Sequence, residues 1–448
     1  MRPDGLAMWG RSLIRSRASR GAIEAVRRHL AEPLHRTTWG LMASTLVTSV
    51  LGVAFWALAA RLYEPAVVGR DGALIASIGT VSAICQLNLG NVIVRFLPQV
   101  RERVGRRVVE AYALAGFASL LGSLLFIFVA PAVSGEFDFL QEDTLLAVTY
   151  VVGVAAWTIF VLQDAVLTAL SRASWLPLEN GTFSALKIAA LPAGLMLATG
   201  HGVVLAWVIP ALVTVPVMNW LIARRVIPQA RQVQRQAPGV VDLFGRRRLV
   251  AFLAQDFGGT ALAQLAMTAV PLMTVALVGA AENAYFYVPF ALVTTFDLMF
   301  FGATTSLTTV GARSPERARE LTGLLMRRLL TIQVPVAALL VLVAPLLLIP
   351  FGPDYVEHGT APLRLLLAAS CCRAVLFLFI AVARLQGNGG RLLLVQAAMT
   401  GMLIPLVLLL APTEGLSGVG LAWLITHAVL ALAVVPSLVS FLKDSDAP

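Results

Sequence analysis

The sequence predicts an all-α polytopic membrane protein of about 12 transmembrane helices in two six-helix halves. Three observations predict this fold: the composition, a series of long apolar runs, and one arginine-rich stretch in the middle of the chain. Of the 448 residues, 58% are hydrophobic and 13% are charged, and the mean hydropathy is +0.83. Soluble domains carry about one quarter charged residues, so this chain cannot bury its apolar surface in a soluble core.

The apolar runs have the length that a membrane requires. A hydrocarbon core of about 30 Å needs roughly 20 residues at 1.5 Å each. Helices are the expected spanning form, because every backbone polar group must find a partner in lipid. The runs lie at about residues 38–60, 72–97, 109–131, 144–170, 183–200, 203–223, 249–278, 284–311, 329–350, 361–385, 391–411 and 416–441.

The arginine-rich stretch 224–248 divides the chain. It holds seven arginines and one acid, and we interpret it as a cytoplasmic linker. Two halves that both start inside predict parallel repeats about an axis along the membrane normal. "EPAVVGRDGAL" and "AENAYFYVPFAL", which open the second run of each half, are weakly similar. The predicted divisions are a basic N-terminal segment (1–37), an N-terminal lobe (38–223), the linker, a C-terminal lobe (249–441) and a cytoplasmic tail (442–448).

Loop charge predicts the orientation. Arginines concentrate in alternate gaps, at 101–107, in the linker and at 313–328, which is the positive-inside pattern. We therefore expect a multi-pass protein of the bacterial cytoplasmic (inner) membrane with both termini in the cytoplasm. The net charge of +10 then indicates membrane topology and lipid contact, not nucleic-acid binding. The outer gaps carry Arg61 and Arg70, followed by acids: Glu136, Asp138, Glu142, Asp143, Glu282, Asp354, Glu357 and Glu414.

The sequence contains none of the motifs that we associate with enzymes. It lacks a phosphate-binding loop, a nucleophile elbow, a metal-ligand cluster and a soluble loop large enough for a catalytic domain. The three cysteines fall inside apolar runs, so no disulfide framework is expected. We expect a protein that is not an enzyme, with no catalytic residue, metal or cofactor.

Ionisable residues inside the apolar runs are the candidate functional residues. A charge at the bilayer centre costs about 2.5–3.5 kcal/mol on insertion scales and normally faces a cavity or a partner. Arg373, Asp297 and His427 lie near the centres of three runs in the second half. Arg373 offers a guanidinium fork that suits phosphate, and His427 can titrate near neutral pH. The alternatives are a structural Arg373–Asp297 pair and a satisfied core histidine.

Five further charged residues lie toward the ends of runs. Asp164, Lys187, Arg95 and Asp256 are expected near the inner ends and Arg364 near an outer end. Each is a candidate substrate contact, but long side chains near helix ends can also reach the interface or pair locally.

Two stretches resemble the polysaccharide- and oligosaccharide-exporting (Wzx-type) flippases of the multidrug/oligosaccharidyl-lipid/polysaccharide (MOP) superfamily. They are "ARLYEPAVVGRDGALIASIGTVSAICQLNLGNVIVRFLP", with Arg61, Gly69 and Arg95-Phe96-x-Pro98, and "LLLIPFGPDYVEHGTAPLRLLLAAS". The resemblance implies a MATE-like, V-shaped pair of lobes around a central cavity. It implies alternating access that moves a lipid-linked oligosaccharide to the outer leaflet for cell-surface polysaccharide export. It also implies possible proton or sodium coupling and work beside polymerase or glycosyltransferase machinery.

Other functions remain open. "PQVRERVGRR" at 98–107 resembles the loop signature of major facilitator transporters, but Pro98 and Glu102 depart from it and the second half does not repeat it. Drug antiporters usually place an acid deep in the first half, whereas Asp164 is expected off-centre. The first half also has an almost uncharged centre, which counts against peptidoglycan-precursor flippases. A membrane-embedded glycosyltransferase or polymerase would need a larger outer loop than 131–143.

Overall fold

The computed structural model describes residues 33–99, 104–196, 200–229, 246–311 and 315–443, and nearly all of them are helical. The first half contains α1 (Pro33–Leu62), α2 (Pro65–Cys85), α3 (Leu89–Phe96), α4 (Val104–Val133), α5 (Phe139–Glu142), α6 (Thr144–Ala169), α7 (Leu176–Met196) and α8 (Gly202–Leu221). The second half contains α9 (Arg246–Val278), α10 (Ala280–Gly311), α11 (Pro315–Arg328), α12 (Val334–Leu342), α13 (Ala344–Leu348), α14 (Pro353–Leu385) and α15 (Gly389–Lys443).

These helices confirm the predicted all-α membrane fold. Eight of the described helices are long and apolar enough to cross a membrane, judged by length and composition. The longest, α15, has 55 residues, but Gly415 leaves the helical region at φ 57° and ψ −135°. α15 therefore consists of two helical segments, as the last two apolar runs predict.

Two of the predicted runs are broken helices. Leu87 and Asn88 adopt positive φ angles of 49° and 60° between α2 and α3, and the Asn91 amide donates to the Asn88 side-chain oxygen at 2.6 Å. Asparagine tolerates this left-handed region better than most residues. In the ninth run, Pro345 follows a break at Val343 because proline has no N–H to continue the helix.

Several helices are longer than the apolar runs that predict them. α7 begins at Leu176, seven residues before the predicted start at 183. α14 begins at Pro353, where proline is favourable in the first turn. An apolar-run criterion excludes these first turns because they carry polar residues. The predicted linker is also shorter, since a π-helical turn (Ile222–Val226) extends α8 and α9 starts at Arg246.

Each half has its own apolar core. The first is built around Phe55, Tyr150 and Trp207, and the second around Phe286 and Trp423. Large apolar side chains also point out of the bundle: on α4, Phe117, Leu125 and Phe128 are more than 60% exposed. Such a face suits lipid, and helix association there depends on close packing and hydrogen bonds.

The two halves meet where α2 packs against α9 and α10. The Asn283 amide donates to the Gly69 carbonyl oxygen at 2.7 Å. The Thr80 and Thr268 hydroxyls share a short hydrogen bond between α2 and α9. Arg61, at the end of α1, donates through Nε to the carbonyl of Pro350 and through Nη2 to that of Ile349, both at 2.9 Å. The charge pattern predicts that one end of the bundle faces outward, and we call it the predicted outer end. The Asn283 and Arg61 contacts lie there.

Candidate functional site

The centre of the second half holds a buried ion pair. Arg373 on α14 donates through Nη1 to Oδ2 of Asp297 on α10, with a short contact. Arg373 is 7% exposed and Asp297 is 3% exposed. A buried charge is costly unless it is paired and hydrogen-bonded, so this contact explains how both side chains are tolerated inside an apolar bundle.

Aromatic side chains and a thioether complete the surroundings of Arg373. Its guanidinium carbon lies 5.2 Å from the centre of the Trp423 ring and 5.4 Å from that of Phe377, within cation–π range. Nη2 points to Sδ of Met267 at 3.4 Å, and sulfur is a weak acceptor. One edge of the guanidinium therefore makes a strong ionic hydrogen bond, and its contacts with the two rings and the thioether are weaker.

His427 belongs to the same cluster. Its ring lies 4.6 Å from the ring of Trp423, and Nδ1 donates to the Trp423 backbone carbonyl at 2.7 Å. The residue is 2% exposed. The hydrogen bond follows the helical i to i−4 spacing, so one ring nitrogen is satisfied by its own helix. This geometry favours the core-histidine interpretation over a freely titrating group.

The cluster adjoins the junction of the halves. Met267, which contacts Arg373, immediately precedes Thr268, and Thr268 bonds to Thr80 on α2. The Arg373 cluster therefore lies beside the contact between α9 and α2.

Lys187 is the mid-helix cation of the first half. Sequence reasoning expected it near the inner end of its run, and that expectation is wrong, because α7 spans Leu176–Met196 and Lys187 lies near its middle. The centre of the first half is therefore not uncharged. Nζ lies 4.9 Å from the Phe55 ring centre and 5.5 Å from that of Phe183. Among the side chains that the structure describes, no carboxylate pairs with Lys187.

Solved structures share this arrangement of helices. An inward-facing multidrug resistance MATE family transporter of the MOP superfamily aligns with a TM-score of 0.63 at 17% identity, over 89% of this chain and 96% of that chain. The chain has the fold of the MOP superfamily transporters. The lipid II flippase MurJ, in an inward closed conformation, aligns with a TM-score of 0.64 at 12% identity, over 90% of this chain and 89% of that chain.

The MOP fold agrees with the resemblance of the two sequence stretches to that superfamily, but it does not single out one branch. An outward-facing MATE transporter aligns almost as well as the inward-facing one, with a TM-score of 0.62 at 17% identity over 91% and 95% of the two chains. No family model matches the chain. No curated protein matches it either.

Within this MOP fold, two of the remaining predicted site residues, Arg364 and Asp164, do not join the Arg373 cluster. Arg364 lies about a third of the way along α14 instead of at its end, and its Nε donates to the Val341 carbonyl at 3.2 Å. Pro345 deprives that carbonyl of its usual helical donor, so Arg364 replaces it. Asp164 lies near the end of α6, as expected. The side chains of Arg95 and Asp256 fall outside the described residues.

Sequence reasoning missed a polar contact near the predicted outer end. Asp71 on α2 is fully buried and accepts hydrogen bonds from the backbone N–H groups of Val203 and Val204, each at 3.0 Å. It also lies 3.2 Å from His201 Nδ1. The carboxylate thus stabilises the first turn of α8. The predicted second run starts at residue 72, one residue after Asp71, so Asp71 was not among the candidate residues inside the apolar runs.

Glu179 is the second missed residue. It lies in the first turn of α7, is 2% exposed, and has no hydrogen-bond partner at either carboxylate oxygen. The predicted run began at 183, so Glu179 was assigned to a loop. Burial of an unpartnered carboxylate is unusual.

Proposed function

We propose that this chain is a membrane flippase that moves a lipid-linked oligosaccharide or a related glycan precursor from the inner to the outer leaflet by alternating access. The product would serve the export of cell-surface polysaccharide. The observation that carries the proposal is a cation in the interior of each half, Arg373 in the second and Lys187 in the first, within a fold shared with transporters.

The physical problem of flipping explains why such cations matter. The lipid tail can stay in hydrocarbon while the polar headgroup crosses it, so the headgroup needs a polar path. Cations inside a low-dielectric bundle attract a diphosphate far more strongly than the same groups in water. Arg373 offers a bidentate fork and Lys187 a point charge. Two cations on opposite halves can hold one anionic headgroup while the halves change their relative angle.

Asp297 then has a defined role. In the absence of substrate it neutralises Arg373, which lowers the cost of burying that cation. An arriving phosphate competes with Asp297 for the guanidinium. Because the exchange replaces one anion by another, the Arg373 guanidinium stays paired while substrate binds and leaves.

The remaining expectations belong to the same proposal. We infer a bacterial cytoplasmic membrane location with both termini inside, from the arginine distribution. We infer function beside polymerase or glycosyltransferase machinery, which would supply and consume the glycan, and coupling to a proton or sodium gradient.

Lipid sidedness is the direct test. The purified protein is reconstituted in liposomes with a fluorescent polyprenyl-diphosphate oligosaccharide, and its exposure to a membrane-impermeant quencher is followed. We expect protein-dependent translocation that Arg373→Ala abolishes and Arg384→Ala preserves, since Arg384 is exposed at the end of the same helix. Translocation by Arg373→Ala at the wild-type rate would remove Arg373 from the path.

A small-solute antiporter of the MATE type is the second candidate. It is favoured by the neutral Arg373–Asp297 pair, which leaves the second half with little net positive charge. The same liposomes separate the two functions. Proton- or sodium-driven movement of a cationic dye, without translocation of the fluorescent lipid, would replace the flippase by the antiporter.

A further inference from the structure

Aromatic rings connect the two interior cations across the junction of the halves. In the first half, Lys187 Nζ lies 4.9 Å from the centre of the Phe55 ring, and that ring lies 5.1 Å from the ring of Trp56. In the second half, the guanidinium carbon of Arg373 lies 5.2 Å from the centre of the Trp423 ring. The rings between the cations, which we call the aromatic path, belong to Phe55, Trp56, Tyr287, Phe290 and Trp423.

The contact between Trp56 and Tyr287 carries the aromatic path from one half to the other. The Trp56 ring on α1 lies 4.9 Å from the Tyr287 ring on α10, with the two planes at 68°. The Tyr287 ring lies 6.5 Å from that of Phe290, which lies 5.4 Å from that of Trp423 on α15. Aromatic rings attract each other at spacings of about 4.5–7 Å, so the path is continuous.

Trp56 is the member of the path that offers surface to a ligand. It is partly exposed, whereas Phe55 and Trp423 are at most 1% exposed, and Tyr287 and Phe290 are 8% and 7% exposed. Trp56 also packs against the apolar cores of both halves. Its open surface therefore lies beside the junction, where a substrate would pass between the halves.

The Trp56–Tyr287 contact lies between the interior cations and the predicted outer end. Tyr287 follows Ala280, the first residue of α10, by seven residues, and Trp56 precedes Leu62, the last residue of α1, by six. At 1.5 Å per residue, both lie about 10 Å from those helix ends. Asp297, the partner of Arg373, lies ten residues deeper in α10. A headgroup whose phosphates meet the cations therefore has room for its next groups beside the two rings.

The chemistry of an aromatic ring suits a sugar at this place. The face of an aromatic ring carries partial negative charge, and the face of a pyranose ring presents C–H hydrogens with partial positive charge. The two faces therefore stack, and tryptophan offers the largest aromatic face. Stacking imposes no fixed hydrogen-bond pattern, so it can hold a sugar without locking it in one position.

We propose that Trp56, with Tyr287 beside it, forms a stacking site for the first sugar rings of the lipid-linked glycan, while Lys187 and Arg373 hold the phosphates. The inference rests on the proposed function, and it names the groups that recognise the substrate beyond its diphosphate. The protein should then bind a lipid that carries sugars more tightly than the same lipid with the diphosphate alone.

Equilibrium binding to the full-length purified protein in detergent tests the stacking site without translocation. The two probes are the fluorescent polyprenyl-diphosphate oligosaccharide of the liposome assay and the same lipid diphosphate without sugars. We expect the wild type to bind the sugar-bearing probe roughly fivefold or more tightly, as a favourable aromatic contact would give. Trp56→Leu should remove this difference, because leucine is apolar but has no ring face. Trp56→Phe should keep most of it.

Trp220→Leu is the matched control, because Trp220 is 58% exposed at the end of α8. It should leave the difference between the probes unchanged. Fluorine NMR of the protein labelled with fluorotryptophan adds a measurement for the case in which Trp56→Leu does not fold. The Trp56 signal, assigned by its loss in Trp56→Phe, should shift with the sugar-bearing probe and not with the other probe.

Equal binding of the two probes by the wild type would overturn the stacking site. So would a preference that survives Trp56→Leu, a preference that Trp220→Leu removes, or a Trp56 signal that the sugars leave in place. Failure of the proposed function gives a different result: a protein that prefers the sugar-bearing probe through Trp56 but does not translocate it has the stacking site and is not a flippase.

Discussion

The side-chain amide of Asn283 donates a 2.7 Å hydrogen bond to the backbone carbonyl of Gly69, across the junction between the two halves. The backbones approach so closely that a Cβ atom at position 69 would lie 1.8 Å from the Ala280 carbonyl oxygen. Gly69 lies in the first turns of α2, the second helix of one half, and Ala280 begins α10, the second helix of the other half. The segments whose weak similarity suggested a repeat are thus in direct contact, as small residues at a helix interface permit.

Gly69→Ala should therefore separate α2 from α10. The new methyl group meets backbone atoms, which cannot move aside as a flexible side chain can, and overpacking of this kind costs about 1–3 kcal/mol. We expect a lower thermal unfolding midpoint and a roughly tenfold slower translocation in the liposome assay. Gly79→Ala is the control on the same helix, where nothing lies within 4 Å of the added atom. Equal effects of the two substitutions would refute the role of the close approach.

Arg373 and Asp297 allow a test that separates structure from function. Removing one partner leaves a buried charge unpaired and should destabilise the fold by about 3–5 kcal/mol, whereas replacing both with apolar residues is often neutral. We expect Arg373→Ala and Asp297→Ala to lower the unfolding midpoint and the double variant Arg373→Met/Asp297→Leu to restore it. Translocation should stay lost in the double variant. If translocation returned along with stability, the pair would be purely structural.

The fold was largely predictable because lipid imposes a simple rule on the sequence. Helices must be long and apolar, and the breaks at Asn88 and Pro345 carry residues known to interrupt helices. What hydropathy could not show is the polar first turn of a helix. α7 begins at Leu176, seven residues before the predicted start, and this error hid Glu179 and placed Lys187 near a helix end instead of near the middle.

The candidate site was predictable only in part, for a related reason. Arg373 and Asp297 stand out because each is a charge within an apolar run. Sequence analysis offered their pairing only as an alternative to substrate binding, because the packing of α10 against α14 that joins residues 76 positions apart cannot be read from the sequence. Arg364 is the opposite case. Its charge suggested a contact with substrate, but its partner is the Val341 backbone carbonyl, which Pro345 leaves without a helical donor. A carbonyl freed by a proline leaves no trace in the charge pattern.

Lys187 should act through its charge if it contacts an anionic headgroup. We expect Lys187→Met to slow translocation by about tenfold or more with little change in the unfolding midpoint, because the methionine keeps the contacts with Phe55 and Phe183. Lys187→Arg should retain most of the rate, since it retains the cation. The liposome assay with both variants checks this. Similar rates for methionine and arginine would show that Lys187 only packs.

Asp71 should matter for stability more than for translocation. It is fully buried and accepts two backbone hydrogen bonds at the start of α8. These N–H groups have no partner within their own helix, and they stabilise the negative charge of the carboxylate. Asp71→Asn keeps the shape, and its amide oxygen can still accept both N–H groups, but the charge is lost and an amide donor replaces the oxygen that faces His201 Nδ1. We expect a loss of about 1–3 kcal/mol in the free energy of unfolding, measured by chemical denaturation in detergent.

Asp143→Asn is the matched control, because Asp143 caps α6 through a single bond to the Leu146 N–H and asparagine caps helices as well as aspartate does. A loss at Asp71 no greater than that at Asp143 would mean that the first turn of α8 finds its partners elsewhere.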